Sequence, residues 1–229
     1  MTSREKILGR IREALSIVAP RPGHNEGSSK VKRGEGASVR DWLPRVGEGY
    51  SERLALFQQH SSDLKTDLRV VPSVGDFEAE LRRIQEAEGW KKIGAHGGTL
   101  VKRSIGGMNL PVCWTDGGYA AEELEKCDAG ITECDALVAQ TGSVLITSRS
   151  AGGRALSVLP PHHVVLARAD QLLADLPDAF ALIKQRYSAA YPSFISFVTG
   201  PSRTGDIERI LVLGAHGPKK LTILLAGEA

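Results

Sequence analysis

The sequence predicts an α/β protein with a mixed sheet, on three observations. Strand-like and helix-like stretches alternate between residues 50 and 128, as expected for right-handed crossovers in an α/β sheet. Four short β-prone runs then follow between residues 136 and 167 without room for helices, which indicates an antiparallel meander. Helical periodicity returns from Asp170 to Gln185, ahead of the last strand-like runs.

The composition indicates a soluble globular protein. The chain has 229 residues, 41% of them hydrophobic and 24% charged, which fits one large domain with or without an appendage. A formal net charge of +2 argues against a general polyanion binder, so we expect no nucleic-acid partner. No apolar run approaches the roughly 18 to 20 residues that a membrane span needs, and no secretory signal is evident.

The three cysteines, Cys113, Cys127 and Cys134, match neither a disulfide framework nor a metal or iron–sulfur pattern. A reduced, cytoplasmic protein is the simplest interpretation. A redox role for Cys127 and Cys134 is the alternative, against which stands the usual burial of free cysteine as a small hydrophobe.

We predict three segments. Residues 1–18 form an amphipathic helix, because apolar residues from Ile7 to Leu15 recur at three- and four-residue spacing. Residues 19–40 form a flexible linker rich in Pro, Gly, Ser and basic residues. The compact domain covers 41–229.

The first half of this domain is predicted to alternate helices with strands. The helices cover 50–65, 76–88 and 120–127, and the strands cover 68–71, 91–95 and 110–114. His60 lies on the apolar face of the first helix, and we interpret it as a satisfied core or boundary histidine. The strand at 91–95 runs into His96-Gly97-Gly98-Thr99.

The second half is predicted to be rich in strands. The β-prone runs are 136–139, 143–147, 155–159, 164–167, 194–199 and 221–225, with a short segment at 207–213. The helix over 170–185 must break or kink at Pro177.

Four polar turns follow or precede these runs and suggest a site for a small anion. They are Thr141–Ser143, Ser148–Arg154, Pro160–His163 and Gly200–Asp206, the last echoed by Gly214–Pro218. Arginine pairs with carboxylate or phosphate, and glycines let backbone N–H groups approach an oxyanion. The candidate ligand-binding residues are Thr141, Gly142, Ser143, Arg149, His162, Gly200, Ser202, Arg203, Thr204, Asp206, His216 and Gly217.

Each turn also has a purely structural interpretation. The Thr-Gly pair suits a tight hairpin, Ser148–Arg154 suits a mobile loop, and the two histidines after the prolines suit the surface. Asp206 suits the N-cap of a following segment. No nucleotide-binding, zinc-protease or nucleophile-elbow motif is present, so the candidate acids and bases Asp206, His216 and Glu133 have no assigned roles.

The chain resembles the lactate utilization protein C family, which carries the LUD domain. The resemblance rests on A-L-V-A-Q-T-G-S-V-L-I, L-P-P-H-H-V-V, S-F-I-S-F-V-T-G-P-S-R-T-G-D-I-E and L-V-L-G-A-H-G-P-K-K-L. It covers residues 129–225 well and residues 50–128 loosely.

The resemblance implies a Rossmann-like mixed sheet of the NagB/RpiA/CoA-transferase-like fold, with an N-terminal helical arm. It also implies membership of a bacterial system that oxidises L-lactate to pyruvate, whose sister subunits carry the iron–sulfur clusters. This chain lacks the cysteine runs that ligate such clusters, so we expect a cluster-free component with no cofactor of its own. Its partners would be those sister subunits and a small anionic ligand, and a homo-oligomer is compatible with this interpretation.

Three hypotheses follow. The first is an accessory subunit in which Arg203 pairs with the anion, Thr141, Ser143, Ser202 and Thr204 donate hydrogen bonds, and His216 and Asp206 orient it or transfer protons. The second is a stand-alone transferase or isomerase acting on a phosphorylated or CoA-linked substrate. The third is a structural interaction subunit whose N-terminal helix docks on partners.

Overall fold

The computed structural model describes residues 5, 7–9, 45–205, 211–213 and 217–227. Most of the predicted helix over 1–18 and the whole predicted linker over 19–40 lie outside these residues, as do the candidate site residues Asp206 and His216. Within the described part of the chain, no helix is long and apolar enough to cross a membrane.

The described elements confirm the α/β class. In chain order they are α1 Tyr50–Leu64, β1 Asp67–Val71, α2 Phe77–Glu88, β2 Ile93–Ala95, α3 Thr99–Ile105, β3 Val112–Trp114, α4 Ala121–Glu125, β4 Ala129–Glu133, β5 Ala136–Val138, β6 Ser143–Thr147, β7 His162–Arg168, β8 Leu172–Leu173, α5 Leu176–Tyr187, β9 Ile195–Val198, β10 Arg203–Gly205, β11 Leu211–Leu213 and β12 Lys220–Ala226. Short 3₁₀ turns lie at Val74–Asp76, Ala155–Ser157 and Ala169–Gln171.

The larger sheet has six strands in the order β1-β12-β7-β4-β2-β3, and every neighbouring pair is parallel. A smaller sheet has the order β8-β5-β6-β9, with antiparallel pairs on both sides of β6, and β10 and β11 form a separate antiparallel pair. The strands thus divide between a parallel sheet and a second, mixed sheet.

This division corrects the predicted four-run meander. Only the runs at 136–139 and 143–147 pair antiparallel, as β5 and β6. The run at 164–167 belongs to β7, whose residues His162–Ala167 are all buried, as expected for a central parallel strand covered on both faces. The run at 155–159 contains a 3₁₀ turn, and its Leu156 packs against the parallel sheet at Gly94 and Gly130.

Two helices also differ from the prediction. Helix α5 begins at Leu176, after the N-cap Asp175, so Pro177 lies in its first turn, where a missing N–H costs nothing. The seven-residue helix α3 was not predicted, because it is short and is flanked by glycines.

The elements form four layers around three larger apolar clusters, and a fourth, smaller cluster joins α4, the turn at Ala155–Ser157 and Cys113 of β3. Helices α2 and α3 pack on one face of the parallel sheet. The other face packs against the smaller sheet and against Phe57 of α1. Helix α5 covers the outer face of the smaller sheet. The parallel sheet is therefore buried on both sides.

Candidate functional site

Two of the predicted polar turns meet at the last turn of α1. Strands β6 and β9 pair antiparallel, with Val144 opposite Val198, so the turn before β6 and the turn after β9 share one end of the smaller sheet. The hydroxyls of Ser143 and Thr199 share a hydrogen bond of 2.7 Å. We call Thr141–Ser143, Thr199–Arg203, Gly217–Pro218 and His60–Lys65 the turn cluster.

Two glycines allow this close approach. Gly142 has φ 64°, and a Cβ there would lie 2.8 Å from the Cβ of His60. Gly200 has φ 85°, and a Cβ there would lie 3.0 Å from the carbonyl oxygen of Leu64. Only glycine combines these positive φ angles with such close packing, so both turns rest directly on α1.

Arg203 binds the end of α1. Its Nη2 donates to the carbonyl oxygen of Leu64 at 2.5 Å, which satisfies one of the carbonyls that a helix terminus leaves unpaired. The backbone N–H of Ser202 donates to the carbonyl of Pro218 at 2.9 Å and joins the 217–218 segment to the cluster. Arg203 therefore has a structural contact besides its predicted role with an anion.

The turn cluster contains buried polar atoms that lack a partner among the described residues. They are Thr141 Oγ1, His60 Nε2 and Ser61 Oγ. Buried polar atoms are nearly always hydrogen-bonded to protein, water or ligand, so these atoms mark a place where a polar group is needed. His60 was predicted to be a satisfied histidine, and no described residue bonds its Nε2, so this remains a prediction.

A cavity of about 280 Å³ lies next to the turn cluster, at the amino ends of β1, β7 and β12. We call it the basin. Its lining residues are Lys65, Asp67, Arg69, Glu88, His162, Pro201, Lys219, Lys220, Leu221 and Thr222. Four cationic side chains face two carboxylates around it. Pro201 and Lys65 belong to both the basin and the turn cluster.

The pairing of these charges leaves two cations available. Arg69 binds Asp67 at 2.8 Å, and Lys220 binds Glu88 at 2.7 Å. Lys65 and Lys219 form no ion pair with a side chain that the structure describes. The basin therefore offers positive charge to a bound anion.

His162 and His163 are buried, which corrects the interpretation of this pair as surface residues. His162 Nε2 lies 2.8 Å from Thr222 Oγ1, and His163 Nε2 lies 2.9 Å from Thr132 Oγ1. Burial, the largest cause, lowers the pKa of His162 to about 4 and that of His163 to about 3. Both side chains are therefore neutral at pH 7.

Arg149 lies away from the turn cluster. Its Nη2 donates to the carbonyl of Ala190 at 3.1 Å, and its guanidinium lies 5.5 Å from the centre of the Tyr187 ring. The structure thus does not bring this predicted ligand-binding residue to the others. Thr204 lies in β10 beside Arg203, and Gly217 packs against Ser202.

Glu133 lies in a different place, at the carboxyl end of β4. The order in which successive strands join the sheet reverses between β2 and β4, since β3 and β4 lie on opposite sides of β2. Such a topological switch opens a crevice beyond the carboxyl ends of the strands, where α/β proteins commonly bind ligands. We call this place the switch crevice.

The switch crevice contains a carboxylate beside a buried histidine. Glu133 Oε1 accepts hydrogen bonds from the backbone N–H groups of Leu100 and Val101, at 3.0 and 3.4 Å. A Cβ on Gly98 would collide with both the Glu133 carboxylate and the His96 ring, so these two groups face each other across Gly98. Burial, the largest cause, lowers the pKa of His96, so its neutral form is favoured.

The predicted turn Ser148–Arg154 borders this crevice. The hydroxyl of Thr115 donates to the carbonyl of Gly152 at 3.2 Å, and a Cβ on Gly152 would collide with His96. Across the described residues, no group of three or more His, Cys, Asp and Glu side chains could hold a metal ion.

Sequence reasoning missed His96 and Lys65 and discounted His60. His96 follows a predicted strand and precedes two glycines, a pattern that indicates a ligand-binding turn in an α/β fold. Lys65 gave no such signal, because in the sequence it resembles any surface lysine. Only its position in the fold shows that it lines the basin.

A family model described as the LUD domain matches residues 115–226 of this chain. The chain is similar to proteins named lactate utilization protein C from several bacteria. It is 24% identical to that of Bacillus velezensis over 100% of this chain and 97% of the relative, and 25% identical to that of Bacillus subtilis over 87% and 91%. It is 34% identical to that of Shouchella clausii over 49% of this chain and 50% of the relative.

One solved structure supports the fold. It is a crystal structure of a DUF162 family protein from Deinococcus radiodurans, which superposes with a TM-score of 0.63 at 19% identity, over 79% of this chain and 100% of that protein. At 19% identity, this structural similarity supports the α/β architecture alone.

Proposed function

We propose that this chain is a LUD-domain protein of the lactate utilization protein C type, and that it serves lactate utilization by holding a small carboxylate in the basin. The name shared by relatives along most of the chain supports the process. The family resemblance supports a cytoplasmic, cluster-free component whose sister subunits carry iron–sulfur clusters and oxidise L-lactate to pyruvate.

The observation that carries the anion part of the proposal is the positive charge of Lys65 and Lys219 at the basin, which no described carboxylate pairs. A carboxylate between two ammonium groups makes charge-assisted hydrogen bonds, which are stronger than neutral ones. The volume of about 280 Å³ is near the lower limit of small-molecule sites, which suits a three-carbon acid rather than a nucleotide.

The turn cluster supplies the remaining polar contacts of the proposed site. Thr141 offers a buried hydroxyl without a partner among the described residues, and Arg203 retains N–H groups beyond the one that binds Leu64. Asp206 and His216 remain proposed orienting or proton-transfer groups, and they lie outside the described residues.

The test is calorimetric titration with lactate, pyruvate, phosphate and CoA. We expect the intact chain to bind a small carboxylate and the double variant Lys65→Gln/Lys219→Gln to bind it about tenfold or more weakly, because a hydrogen bond to a charged group contributes about 1.5–3 kcal/mol when buried and less when exposed. Lys184→Gln is the matched control, since Lys184 is an exposed lysine of α5 remote in sequence from the basin. Equal affinity of the double variant and the control would contradict the proposal.

A second candidate function rests on Glu133 and His96. A carboxylate facing a neutral histidine at a topological switch suits proton transfer in a stand-alone transferase or isomerase acting on a phosphorylated or CoA-linked substrate. In that case the isolated chain turns over such a substrate, and Glu133→Gln lowers kcat about 100-fold or more while unfolding at the same urea concentration. Unchanged turnover in Glu133→Gln would exclude this role.

A further inference from the structure

Two of the three cysteines lie together on one face of the parallel sheet. Cys113 of β3 pairs in register with Gly94 of β2, and Gly94 leaves that face without a side chain. The side chains of Leu124, Leu156 and Cys127 pack over this position, and the Sγ of Cys127 lies 3.7 Å from where a Cβ of Gly94 would lie. The Cys113 side chain packs against the apolar cluster that contains Cys127.

The third cysteine is remote from this pair. Cys134 belongs to the core between the two sheets, where its thiol donates to the carbonyl of Leu166 at 3.9 Å. The grouping of Cys127 with Cys134 as candidate redox residues is therefore not supported by their positions. Cys127 packs instead with Cys113, a residue of β3 that precedes it in the sequence.

We propose that Cys113 and Cys127 form a redox-active dithiol, which a disulfide oxidant converts into an intramolecular disulfide. Cys113 lies opposite Gly94 in the sheet, and the Cys127 Sγ lies 3.7 Å from where a Cβ of Gly94 would be, so both side chains pack in one apolar cluster on one face of the sheet, where a disulfide could join them. The proposal is independent of the identity of the ligand in the basin.

The chemistry proceeds by two thiol–disulfide exchanges. Cys113 is half-buried, whereas Cys127 is 1% exposed, so Cys113 reacts first. With oxidised glutathione, the Cys113 thiolate attacks one sulfur, forms a mixed disulfide and releases one reduced glutathione. Cys127 then attacks the Cys113 sulfur, releases the second glutathione and loses its proton to solvent. Two thiols are oxidised, and one glutathione disulfide is reduced to two thiols.

The second exchange is the slow one. Burial, the largest cause, raises the pKa of the Cys127 thiol to about 11, so little thiolate is present at pH 7. The ammonium of Lys92 lies near this thiol and opposes the shift, which favours the thiolate. The rate of disulfide closure should therefore rise steeply between pH 7 and pH 9.

The disulfide would act on the rim of the switch crevice. It closes a loop from residue 113 to residue 127 that contains Thr115, which is bonded to Gly152 across the crevice. Oxidation therefore constrains the segment opposite Glu133, and reduction releases it.

The test uses the intact chain in glutathione buffers of increasing oxidising strength, followed by alkylation of remaining thiols and peptide mapping. We expect a Cys113–Cys127 disulfide with one free thiol at Cys134, and the same result in Cys134→Ser. The thermal midpoint should rise by roughly 5 °C on oxidation, as expected from closing a short loop in a domain of this size.

Two outcomes would overturn the proposal. One is a mixed disulfide that persists on Cys113 at pH 9 in the wild-type chain, because it would show that Cys127 cannot reach it. The other is a disulfide that includes Cys134. Both are read from the wild-type protein, so neither depends on whether Cys113→Ser or Cys127→Ala folds.

Discussion

Replacing Gly130 by alanine is expected to lower the free energy of unfolding by about 3 kcal/mol or more, since overpacking a rigid core typically costs 1–3 kcal/mol and here the obstacle is backbone. Gly130 lies in the central strand β4, and an added Cβ would collide with the carbonyl oxygen of Leu156. It would also lie 3.1 Å from the Cγ of Pro160. To avoid this collision, the 155–160 segment would have to move away from the sheet. Such a movement is costly, because Leu156 in this segment is fully buried.

The matched control is Gly117→Ala. Gly117 lies in the loop after β3, and no atom lies within 4 Å of the position of an added Cβ. Because the substitution only restricts the unfolded chain, we expect the free energy of unfolding not to fall and to rise by up to about 1 kcal/mol. Urea unfolding followed by circular dichroism measures both variants. Similar midpoints for the two variants would show that the 155–160 segment yields easily.

Replacing Asp135 by alanine is expected to cost about 2–4 kcal/mol of unfolding free energy, because it leaves buried donors without their acceptor. Asp135 is 3% exposed. Its Oδ1 accepts hydrogen bonds from the Tyr187 hydroxyl at 2.5 Å and from Arg186 Nη1 at 2.7 Å. Arg186 is 47% exposed, so water can replace its lost partner, and most of the cost falls on Tyr187.

Asp170→Ala is the control for this change. Asp170 pairs with Arg168 at 3.2 Å, but its side chain is 71% exposed. We therefore expect Asp170→Ala to lower the free energy of unfolding by less than about 1 kcal/mol. Chemical denaturation at pH 7 compares the two variants. If both lose the same free energy, the network of Asp135, Arg186 and Tyr187 does not anchor α5 to the smaller sheet.

The two buried glycines of the parallel sheet show what sequence reasoning could not reach. Gly94 and Gly130 lie side by side in register, and together they form a strip without side chains. Leu156 packs into this strip, as does Cys127. Nothing local distinguishes these glycines from those of turns, because their purpose depends on a segment that approaches from far along the chain.

The polar turns show the opposite case. Thr141–Ser143 and Gly200–Arg203 were predicted from their residue types and from the resemblance, and the structure brings them together at the end of α1. The separate positions of Arg149 and Glu133 were not predictable, since adjacency to a strand end does not say which sheet, or which end of it, a residue joins.

Periodicity, turn chemistry and local motifs were enough to predict the α/β class, the helices of the described region apart from α3 and the start of α5, the LUD-domain resemblance and the two turns that meet at α1. The three-dimensional fold was needed to show that β7 joins a parallel sheet, that Lys65 and Lys219 line the basin and that Cys113 packs in the same cluster as Cys127. Those contacts join residues far apart along the chain, and strand order and register, rather than local preference, select them. The turn cluster and the basin share an edge only because α1 ends where the amino ends of β1, β7 and β12 begin.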